Sequence, residues 1–424
     1  MSKPRPRVVI AGAGFGGLEA ARALRATAAD VIVIDQQNHH CFQPLLYQVA
    51  TAALSPADVA WPIRRILRRQ RNATVLMAEI RGIDTDKRLV HTDSISVPYD
   101  FLVLATGATH SYFGHDDWAK VAPGLKRIED ATRIRRQILI AFERAELTAD
   151  PAEQARLLTF VIIGGGATGV EMAGAIAEIA RRTLAMDFRR IDPKASRIVL
   201  LEAGPRLMPV LPEGLSRYVQ DTLDRMGVEV MTSTRVVGCD PGGVDLEGGR
   251  IEAATLIWAA GVVASPAASW LGAAHDRAGR VKVGPDLSVG GHSEVFAIGD
   301  TAAVMGPAGQ EVQAIPGIAP AAKQMGLYVG RLIATRIARK TEPEPFRYRH
   351  QGDLATIGRR AAVVKLGRLE LKGFLGWLFW SVVHIFFLIE IRDRFVVAFI
   401  WLWDYVTFQR GARLITRVPP QDRT

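Results

Sequence analysis

The chain has 424 residues, with 53 Lys and Arg against 43 Asp and Glu, and therefore a formal charge of +10 at pH 7. Hydrophobic residues make up 49% of the chain and charged residues 23%, the proportions of an ordinary globular protein, which excludes disorder and collagen-like repeats. The length predicts two or three domains, and the basic balance leaves open a nucleic-acid partner, an anionic membrane surface or an effect on solubility alone.

The first predicted elements are a strand, a glycine-rich turn and a helix. The strand Val8–Ala11 leads into a G-x-G-x-x-G turn that runs from Gly12 to Gly17, and the alanine-rich segment Glu19–Ala26 follows. In this motif Gly14 lets the main chain approach a pyrophosphate, which the N-terminus of the helix attracts. The next strand ends at Asp35, whose carboxylate can accept hydrogen bonds from ribose hydroxyls.

The two cysteines lie far apart and form no C-x-x-C pair: Cys41 follows soon after Asp35, and Cys239 lies in the second half of the chain. Their scarcity argues against a disulfide framework and a thiolate metal site, and it fits a reducing compartment. The segment before Val8 lacks the apolar stretch of about 7–15 residues that a signal peptide needs, so we expect the catalytic part to stay where it is made.

The same pattern recurs in the middle of the chain, after the polar helical segment Ile128–Ala149, which can act as a hinge. The strand Phe160–Ile163 leads into the glycines of residues 164–169, and the helical segment Glu171–Ala180 follows. The next strand ends at Glu202. Two complete copies of strand, turn, helix and acid predict two dinucleotide sites.

Glu202 bears on the choice of nucleotide. It lies 38 residues after Gly164, whereas the usual spacing is ~20 residues. We attribute the extra length to an inserted loop over Arg181–Arg197. A glutamate at this strand end favours NADH, because it accepts hydrogen bonds from the 2′- and 3′-hydroxyls and repels a 2′-phosphate. Arg206 lies close enough in sequence to weaken that preference.

Two dinucleotide sites predict one tightly held flavin and one exchangeable nicotinamide. Reductases that pass electrons through a protein disulfide place paired cysteines beside the flavin, and Cys41 has no partner nearby in sequence. The absence of further cysteines also argues against a sulfide-oxidising enzyme. We therefore expect electrons to pass from the flavin directly to an external acceptor.

Several longer motifs resemble the type II, non-proton-pumping NADH:quinone oxidoreductase family over nearly the whole chain. The most specific motif is His39–Thr51 (HHCFQPLLYQVAT), and others are Ser111–Trp118, Thr168–Glu171 (TGVE) and Trp258–Gly261 (WAAG). The tail from Phe346 to Ile415 matches the family as well. The resemblance implies FAD, NADH, a membrane quinone as oxidant and monotopic attachment to the membrane.

The resemblance also implies two sets of binding residues. For FAD they are Gly12, Gly14, Phe15, Gly16, Gly17, Asp35, Gln36, Gln43, Thr106, Gly107, Asp300 and Ala319. For NADH they are Gly164, Gly166, Ala167, Thr168, Gly169, Glu202, Ala260 and Gly261.

Two residues match catalytic positions of the family. Glu171 matches a glutamate for which a role in quinone protonation or hydride-transfer geometry has been proposed. The alternative is a carboxylate that the helix N-terminus stabilises. Glu19 occupies the same offset in the first copy, which supports a structural reason for an acid at this position. Gln324 matches a quinone contact, with a plain helix-surface amide as the alternative. Pro320 stands where some members have a second glutamine, so a role that needs two glutamines is in doubt.

Adjacent histidines at 39 and 40 point to opposite faces of a strand, so we interpret them as structural rather than as joint metal ligands. The chain has no hydrolase or zinc motif, and no metal is expected.

The C-terminal tail concentrates aromatic and basic residues. Half of the eight tryptophans and seven of the sixteen phenylalanines lie in residues 374–408, and the chain from Arg359 onward carries eleven Lys and Arg against five Asp and Glu. The apolar runs Gly373–Ile389 and Phe395–Phe408 are borderline or too short to span ~30 Å of hydrocarbon. We expect interfacial helices that bind the bilayer surface through residues 374–417, with a buried homodimer contact as the alternative or an addition. A nucleic-acid partner is not expected, because the aromatic residues lie within aliphatic runs.

The predicted fold class is α/β, with two Rossmann-like dinucleotide-binding domains, the second inserted in the first, and a C-terminal amphipathic helical membrane-binding module. The FAD-binding domain covers residues 1–125 and 265–345, the NADH-binding domain covers 126–264, and the membrane-association and dimerisation region covers 346–424. The predicted location is the cytoplasmic face of the cell membrane, as a peripheral, monotopic homodimer.

The predicted function is oxidation of NADH, with two electrons passing through FAD to a membrane quinone without proton pumping. Two alternatives remain: an NADH-dependent reductase of a soluble ferredoxin-like protein, and a slow-turnover flavoprotein that senses NADH.

Overall fold

The computed structural model describes residues 5–305, 315–389, 391–407 and 411–415. Contacts within the described chain divide it into two compact units. The first unit comprises Met1–Cys41, Ala60–Thr109 and Val262–Gln351, and the second comprises Phe42–Val59, His110–Gly261 and Gly352–Thr424.

Short strands make up most of the regular structure by number. They are β1 (Arg7–Ala11), β2 (Asp30–Asp35), β3 (His39–Cys41), β4 (Ala60–Pro62), β5 (Ala73–Met77), β6 (Ile80–Asp84), β7 (Leu89–Thr92), β8 (Ser96–Pro98), β9 (Phe101–Leu104), β10 (Ala108–His110), β11 (Thr159–Ile163), β12 (Arg197–Leu201), β13 (Val228–Met231), β14 (Val236–Asp240), β15 (Gly243–Leu246), β16 (Gly249–Glu252), β17 (Thr255–Trp258), β18 (Val262–Ala264), β19 (Val281–Val283), β20 (Ser288–Val289), β21 (His292–Ala297), β22 (Ala302–Val304), β23 (Asp353–Thr356), β24 (Ala362–Leu366) and β25 (Leu369–Lys372).

The α-helices vary from one turn to more than five turns. They are α1 (Phe15–Ala23), α2 (Leu46–Ala50), α3 (Pro56–Val59), α4 (Ile63–Leu67), α5 (Ile128–Leu147), α6 (Pro151–Leu157), α7 (Ala167–Glu178), α8 (Glu213–Arg225), α9 (Ala267–Leu271), α10 (Ala319–Ile337), α11 (Gly373–Phe387) and α12 (Ile391–Thr407).

An eight-stranded sheet forms the first unit, in the order β22-β19-β20-β21-β9-β1-β2-β5. Strand β1 lies inside the sheet and pairs in parallel with β2 and β9, and β21 runs parallel to β9. Val8, Val9 and Ile10 are fully buried, as in a parallel strand covered on both faces. Because these four strands are parallel, their carboxyl ends meet at one edge, the usual place for a ligand.

A four-stranded sheet in the order β13-β12-β11-β17 forms the centre of the second unit. All of its pairings are parallel, so the turns after β11, β12 and β17 share one edge. Two antiparallel three-stranded sheets, β14-β15-β16 and β23-β24-β25, belong to the same unit, as do helices α2, α3, α5–α8, α11 and α12. The α/β prediction is confirmed.

The two glycine turns share a backbone geometry that favours glycine. Gly12 has φ +101° and Gly164 has φ +113°, in the region where side chains are rarely tolerated. A Cβ on Gly17 would overlap the carbonyl oxygen of Gly12, and one on Gly169 would overlap that of Gly164. Each turn therefore needs a glycine at its first and last positions, so that the strand can turn and the helix can pack against it.

The predicted strands and helices around these turns are confirmed with small changes in length. Helix α1 ends at Ala23, three residues before the predicted end. Helix α7 ends at Glu178 and continues as a π-helical turn over Ile179–Thr183, so the start of the predicted inserted loop is helical.

The C-terminal helices differ slightly from the predicted runs. Helix α12 begins at Ile391 rather than at Phe395, so Arg392 and Arg394 lie within the helix and not in a connecting turn. Within the described residues, no helix is both long and apolar enough to cross a membrane.

Candidate active site

The first glycine turn is tied to the next strand by Asp35. Its Oδ2 accepts a hydrogen bond from the Ala13 amide at 2.6 Å, and its Oδ1 accepts one from the Gln37 amide at 2.8 Å. Gly14 has no atom within 4 Å of a Cβ built on it, so the main chain there is open to a ligand. This open turn at the N-terminus of α1 fits the pyrophosphate of a dinucleotide.

His40 supports the same turn from inside the protein. Its Nδ1 lies 2.9 Å from the carbonyl oxygen of Ala13, and its ring packs edge-on against Phe15. Burial lowers the pKa of His40 to about 4, so the ring is neutral at physiological pH. His39 is only partly buried and contacts Asn38, which confirms that the two histidines face opposite ways.

The turn after β9 brings together small polar groups. The hydroxyl oxygens of Thr106 and Ser265 are 2.5 Å apart, and the Gly107 amide donates to the hydroxyl oxygen of Thr301 at 2.8 Å. Asp300 lies next to Thr301 in a one-turn 3₁₀ helix that follows β21. These side chains lie near the edge of the sheet where Gly12 and Asp35 end their strands.

The other residues assigned to FAD are more scattered. Ala319 is the first residue of α10, and Gln36 is an exposed side chain next to Asp35. Gln43 belongs to the second unit, where its exposed amide donates to the Lys126 carbonyl at 3.3 Å.

Gln324 is held in place by the main chain on both sides of its amide. Its Nε2 donates to the Arg349 carbonyl at 2.9 Å, and its Oε1 accepts from the Arg349 amide at 3.0 Å. The side chain is therefore fixed in one orientation and also anchors the segment that follows α10.

Glu202 serves the second glycine turn in the way that Asp35 serves the first. Its two carboxylate oxygens accept from the amides of Gly165 and Gly204, each at 2.6 Å. Gly166, like Gly14, has no atom within 4 Å of a built Cβ. Ala167, Thr168 and Gly169 form the first turn of α7, so the helix N-terminus again faces the predicted nucleotide.

Arg206 turns its guanidinium toward the main chain. Nη1 donates to the Leu211 carbonyl at 3.0 Å, and Nη2 donates to the Pro209 carbonyl at 2.8 Å. These two bonds hold it against its own loop. Arg206 is therefore less available to bind a 2′-phosphate than its position near Glu202 in the sequence suggests.

The turn after β17 carries Ala260 and Gly261. Gly261 has φ +77°, and a Cβ there would lie 2.5 Å from the ring of Phe113. Phe113 is itself 69% exposed and has φ +54°, an unusual conformation for an aromatic residue. An exposed aromatic ring thus covers one side of the predicted nicotinamide-binding turn.

Glu171 is a buried side chain in the second turn of α7. Burial raises its pKa from 4.5 to about 8, an effect that a hydrogen bond from the Thr356 backbone partly offsets. Glu171 is the fifth residue of α7, beyond the first turn where a helix N-terminus acts most strongly, and burial dominates its pKa. Glu19, at the same offset, instead forms a partly exposed ion pair with Arg22 at 3.1 Å.

The second unit also contains an aromatic cleft that encloses about 570 Å³, including space open to solvent. The lining residues come from the region of α2, from α7, from the turn after β23 and from both C-terminal helices. They are Tyr47, Gln48, Thr51, Ala53, Ala175, Glu178, Thr356, Gly358, Arg359, Trp377, Trp380 and Trp401.

Two hydrogen-bonded groups stand out in the cleft wall. Gln48 donates from Nε2 to the Tyr47 hydroxyl at 2.8 Å and accepts at Oε1 from the indole N–H of Trp401 at 2.7 Å. Glu178 accepts from the Arg359 amide at 2.7 Å, with the Arg359 Nε at 3.8 Å. The cleft therefore combines aromatic walls with fixed polar groups.

Most of the cleft residues are not among the site residues that the sequence predicts. The motif His39–Thr51 is the most specific part of the chain, yet Gln43 is its only predicted site residue. The signal available for Tyr47, Gln48 and Thr51 was their place in that motif. Nothing in the spacing of the tail tryptophans indicates that Trp401 reaches Gln48, since 353 positions separate the two residues.

Two protein families match consecutive parts of the chain. The pyridine nucleotide-disulphide oxidoreductase family matches residues 6–326, and the NDH2 C-terminal domain family matches residues 350–409.

Similar full-length proteins carry related names. The type II NADH:quinone oxidoreductase NdhA of Mycobacterium tuberculosis is 43% identical over 97% of this chain and 90% of its own length. The internal alternative NAD(P)H-ubiquinone oxidoreductase A1 of Arabidopsis thaliana is 28% identical over 95% of this chain and 84% of its own length.

Solved structures share the fold. NDH2 from Plasmodium falciparum, solved in complex with NADH, has a TM-score of 0.87 at 20% identity and covers 97% of this chain and 100% of its own. The sulfide:quinone oxidoreductase of Aquifex aeolicus has a TM-score of 0.71 at 18% identity, with 92% of each chain covered. From the family matches and the mycobacterial relative, the chain belongs to the type II NADH:quinone oxidoreductase family.

Proposed function

We propose that this protein, with FAD as its cofactor, oxidises NADH and reduces a membrane quinone with two electrons, without pumping protons. The observation that carries the proposal is the aromatic cleft of the second unit, which offers a flat, neutral ring a place to bind beside fixed polar groups. The chain has only two cysteines and neither is in a disulfide, so a relay of electrons through a protein disulfide is not supported.

FAD fits the residues of the first unit. The open turn at Gly14 and the N-terminus of α1 would hold the pyrophosphate, with Phe15, Gly16 and Gly17 supplying main-chain amides. Asp35 would bind the adenosine ribose, while Thr106, Gly107, Asp300 and Ala319 would surround the rest of the molecule. When bound, FAD supplies a ring system that accepts a hydride and returns electrons to an acceptor.

NADH fits the second glycine turn. Glu202 would accept hydrogen bonds from the ribose hydroxyls while it also fixes the turn, and its charge would repel a 2′-phosphate. Arg206 donates to carbonyl groups of its own loop and offers little to that phosphate. Ala260 and Gly261 would contact the nicotinamide end, beside the ring of Phe113. A preference for NADH over NADPH follows from this arrangement.

The quinone would bind in the cleft. Its ring would pack against Trp377, Trp380 and Trp401, and Gln48 and Thr51 would lie within the same wall. Glu171 is protonated at neutral pH and lies one turn before Ala175 on the same face of α7, so it could deliver a proton toward this region. The quinone contact that the family resemblance implies for Gln324 is a separate proposal, because Gln324 belongs to the first unit and its amide is fixed by Arg349.

The C-terminal helices would attach the protein to the cytoplasmic face of the membrane as a peripheral module. Helix α12 exposes Phe395, Phe399 and Leu402 at helical spacing along one face. Such a face suits the boundary between headgroups and acyl chains. The predicted homodimer, and the division into FAD-binding residues 1–125 and 265–345 around an inserted NADH-binding domain at 126–264, remain part of this proposal.

Steady-state NADH oxidation by the purified holoenzyme tests the function. We expect rapid oxidation with a short-chain quinone, several-fold lower catalytic efficiency with NADPH, and little activity without an acceptor. A soluble ferredoxin-like protein that replaces the quinone with equal efficiency would favour the first alternative. NADH binding without rapid reduction of any quinone would favour the slow-turnover sensor.

A further inference from the structure

We propose that the indole N–H of Trp380 donates the hydrogen bond that holds a quinone carbonyl oxygen in the aromatic cleft. This inference rests on the proposed function, because it takes the cleft as the quinone site. It assigns to Trp380 a positioning role that follows from the packing of the C-terminal helices and not from a sequence motif.

The first observation is a buried donor without an acceptor. Trp380 is 1% exposed, and its Nε1 has no hydrogen-bond partner among the described residues. Five other side-chain atoms share this condition in the described chain, and none of them belongs to a residue that lines the cleft. A buried donor left without an acceptor costs about 1–3 kcal/mol, so its presence in a cleft wall points to a ligand that supplies the acceptor.

The second observation is that neighbouring polar groups already have partners. The indole N–H of Trp401 donates to Gln48, and the Thr51 hydroxyl donates to the Tyr47 carbonyl at 2.8 Å. The Thr356 hydroxyl donates to the Gly358 carbonyl at 2.7 Å. None of these groups accepts a hydrogen bond from Trp380, whose Nε1 has no partner among the described residues.

The third observation is that the Trp380 ring is fixed. It stacks on His384 with ring centroids 4.0 Å apart and on Trp401 with centroids 5.3 Å apart. The Nδ1 of His384 lies 2.8 Å from the Trp380 carbonyl, which holds the histidine ring as well. A donor fixed in advance binds its acceptor with little loss of conformational entropy.

The chemistry of this donor selects a class of ligand. An indole nitrogen can only donate, and it carries no charge, so it suits a neutral acceptor such as a carbonyl oxygen. In the overall reaction NADH, one solvent proton and the quinone give NAD⁺ and the quinol. The carbonyl oxygen becomes more negative as it receives electrons and before it is protonated, so the hydrogen bond from Trp380 strengthens along the reaction.

The sharpest test replaces Trp380 with benzothienylalanine, which keeps the size and stacking of indole but has sulfur in place of the N–H. We expect the catalytic efficiency with a short-chain quinone to fall by about 5–10-fold, the effect of one lost hydrogen bond. Reduction of ferricyanide by NADH should stay unchanged, because it does not need the cleft.

The same benzothienylalanine substitution at Trp270 is the matched control. Trp270 lies in α9 of the first unit, outside the residues that line the cleft, and its indole nitrogen is not among the buried atoms that lack a partner. We expect this variant to keep its quinone efficiency within about two-fold of the wild type. Trp380→Phe offers a second route to the same measurement if the non-natural residue lowers the yield of folded protein.

A flat phenazinium dye, which has no carbonyl group, separates hydrogen bonding from packing. The proposal predicts that the benzothienylalanine variant reduces this dye at the wild-type rate. Equal losses with dye and quinone, or a quinone efficiency that does not change, would overturn it. A wild-type enzyme that reduces no quinone would instead refute the proposed function, so the two failures can be told apart.

Discussion

Asp35 and Glu202 each combine two tasks at the end of a strand. Their carboxylates fix a glycine turn by accepting main-chain amides at 2.6 Å, and the same carboxylates are the expected ribose ligands. An acid at this position therefore contributes to the fold before any nucleotide binds. Hydrogen bonds of a main-chain amide to a charged acceptor are worth about 1.5–3 kcal/mol each.

Glu171 should make the stability of the protein depend on pH. Its carboxyl group has a pKa of about 8 when folded against an ordinary 4.5, so the folded protein binds the proton more tightly than the unfolded chain. The stabilisation is complete below about pH 4.5 and is lost as the pH rises to about 8. The whole shift corresponds to at most about 5 kcal/mol.

The measurement is the free energy of unfolding by urea at pH 5, 7 and 8.5. Glu171→Gln cannot ionise, so it should lose less stability than the wild type across this range. The Glu19→Gln variant serves as the control, because Glu19 is partly exposed and ion-paired. Parallel pH profiles for Glu171→Gln and the wild type would contradict the assignment.

At the scale of secondary-structure elements, two glycines let helices α1 and α10 pack in close contact. A Cβ on Gly326 would overlap the carbonyl oxygen of Gly16, and a Cβ on Gly330 would lie 2.6 Å from the Cβ of Ala23. Because α1 begins at the glycine turn, this packing also holds the N-terminus of α1 in place for a dinucleotide. The small residues of α10 thus help to position the dinucleotide site by allowing α10 to pack closely against α1.

We therefore expect Gly326→Ala to destabilise the protein by about 1–3 kcal/mol through overpacking, and to weaken the retention of FAD. Gly214→Ala is the matched control, because Gly214 is exposed in α8 and has nothing within 4 Å of a built Cβ. That control should be neutral or slightly stabilising. Thermal unfolding and the FAD content after purification measure both effects, and equal behaviour of the two variants would refute the packing argument.

At the scale of the whole molecule, the sequence predicts local structure better than it predicts contacts between distant segments. The glycine turns and their strands were predictable, because strand, turn and helix are neighbours in sequence and each glycine has a local steric reason. The cleft was not, because it joins the region of α2 to helices more than 300 positions away, as in the bond between Gln48 and Trp401. The apolar, aromatic character of the tail was evident from its composition, but the place of Trp380 and Trp401 in the cleft wall was not.

The structure also changes how the membrane module should be tested. Deleting residues 374–424 would remove Trp380 and Trp401 from the cleft wall and would damage the site along with the proposed anchor. Point substitutions on the outer face of α12 avoid this problem. Phe399 and Leu402 are 65% and 62% exposed, so their replacement need not disturb the core.

The double variant Phe399→Glu with Leu402→Glu should therefore fail to sediment with phosphatidylglycerol vesicles, while it keeps the wild-type rate of ferricyanide reduction. Each lost apolar side chain removes about 1.5–3 kcal/mol of burial, and the new carboxylates are repelled by the anionic surface, so partitioning should fall by at least about 100-fold. Leu147→Glu is the control, since Leu147 is 77% exposed at the end of α5 and far in sequence from the tail. A double variant that still sediments like this control would show that α12 does not bind the membrane.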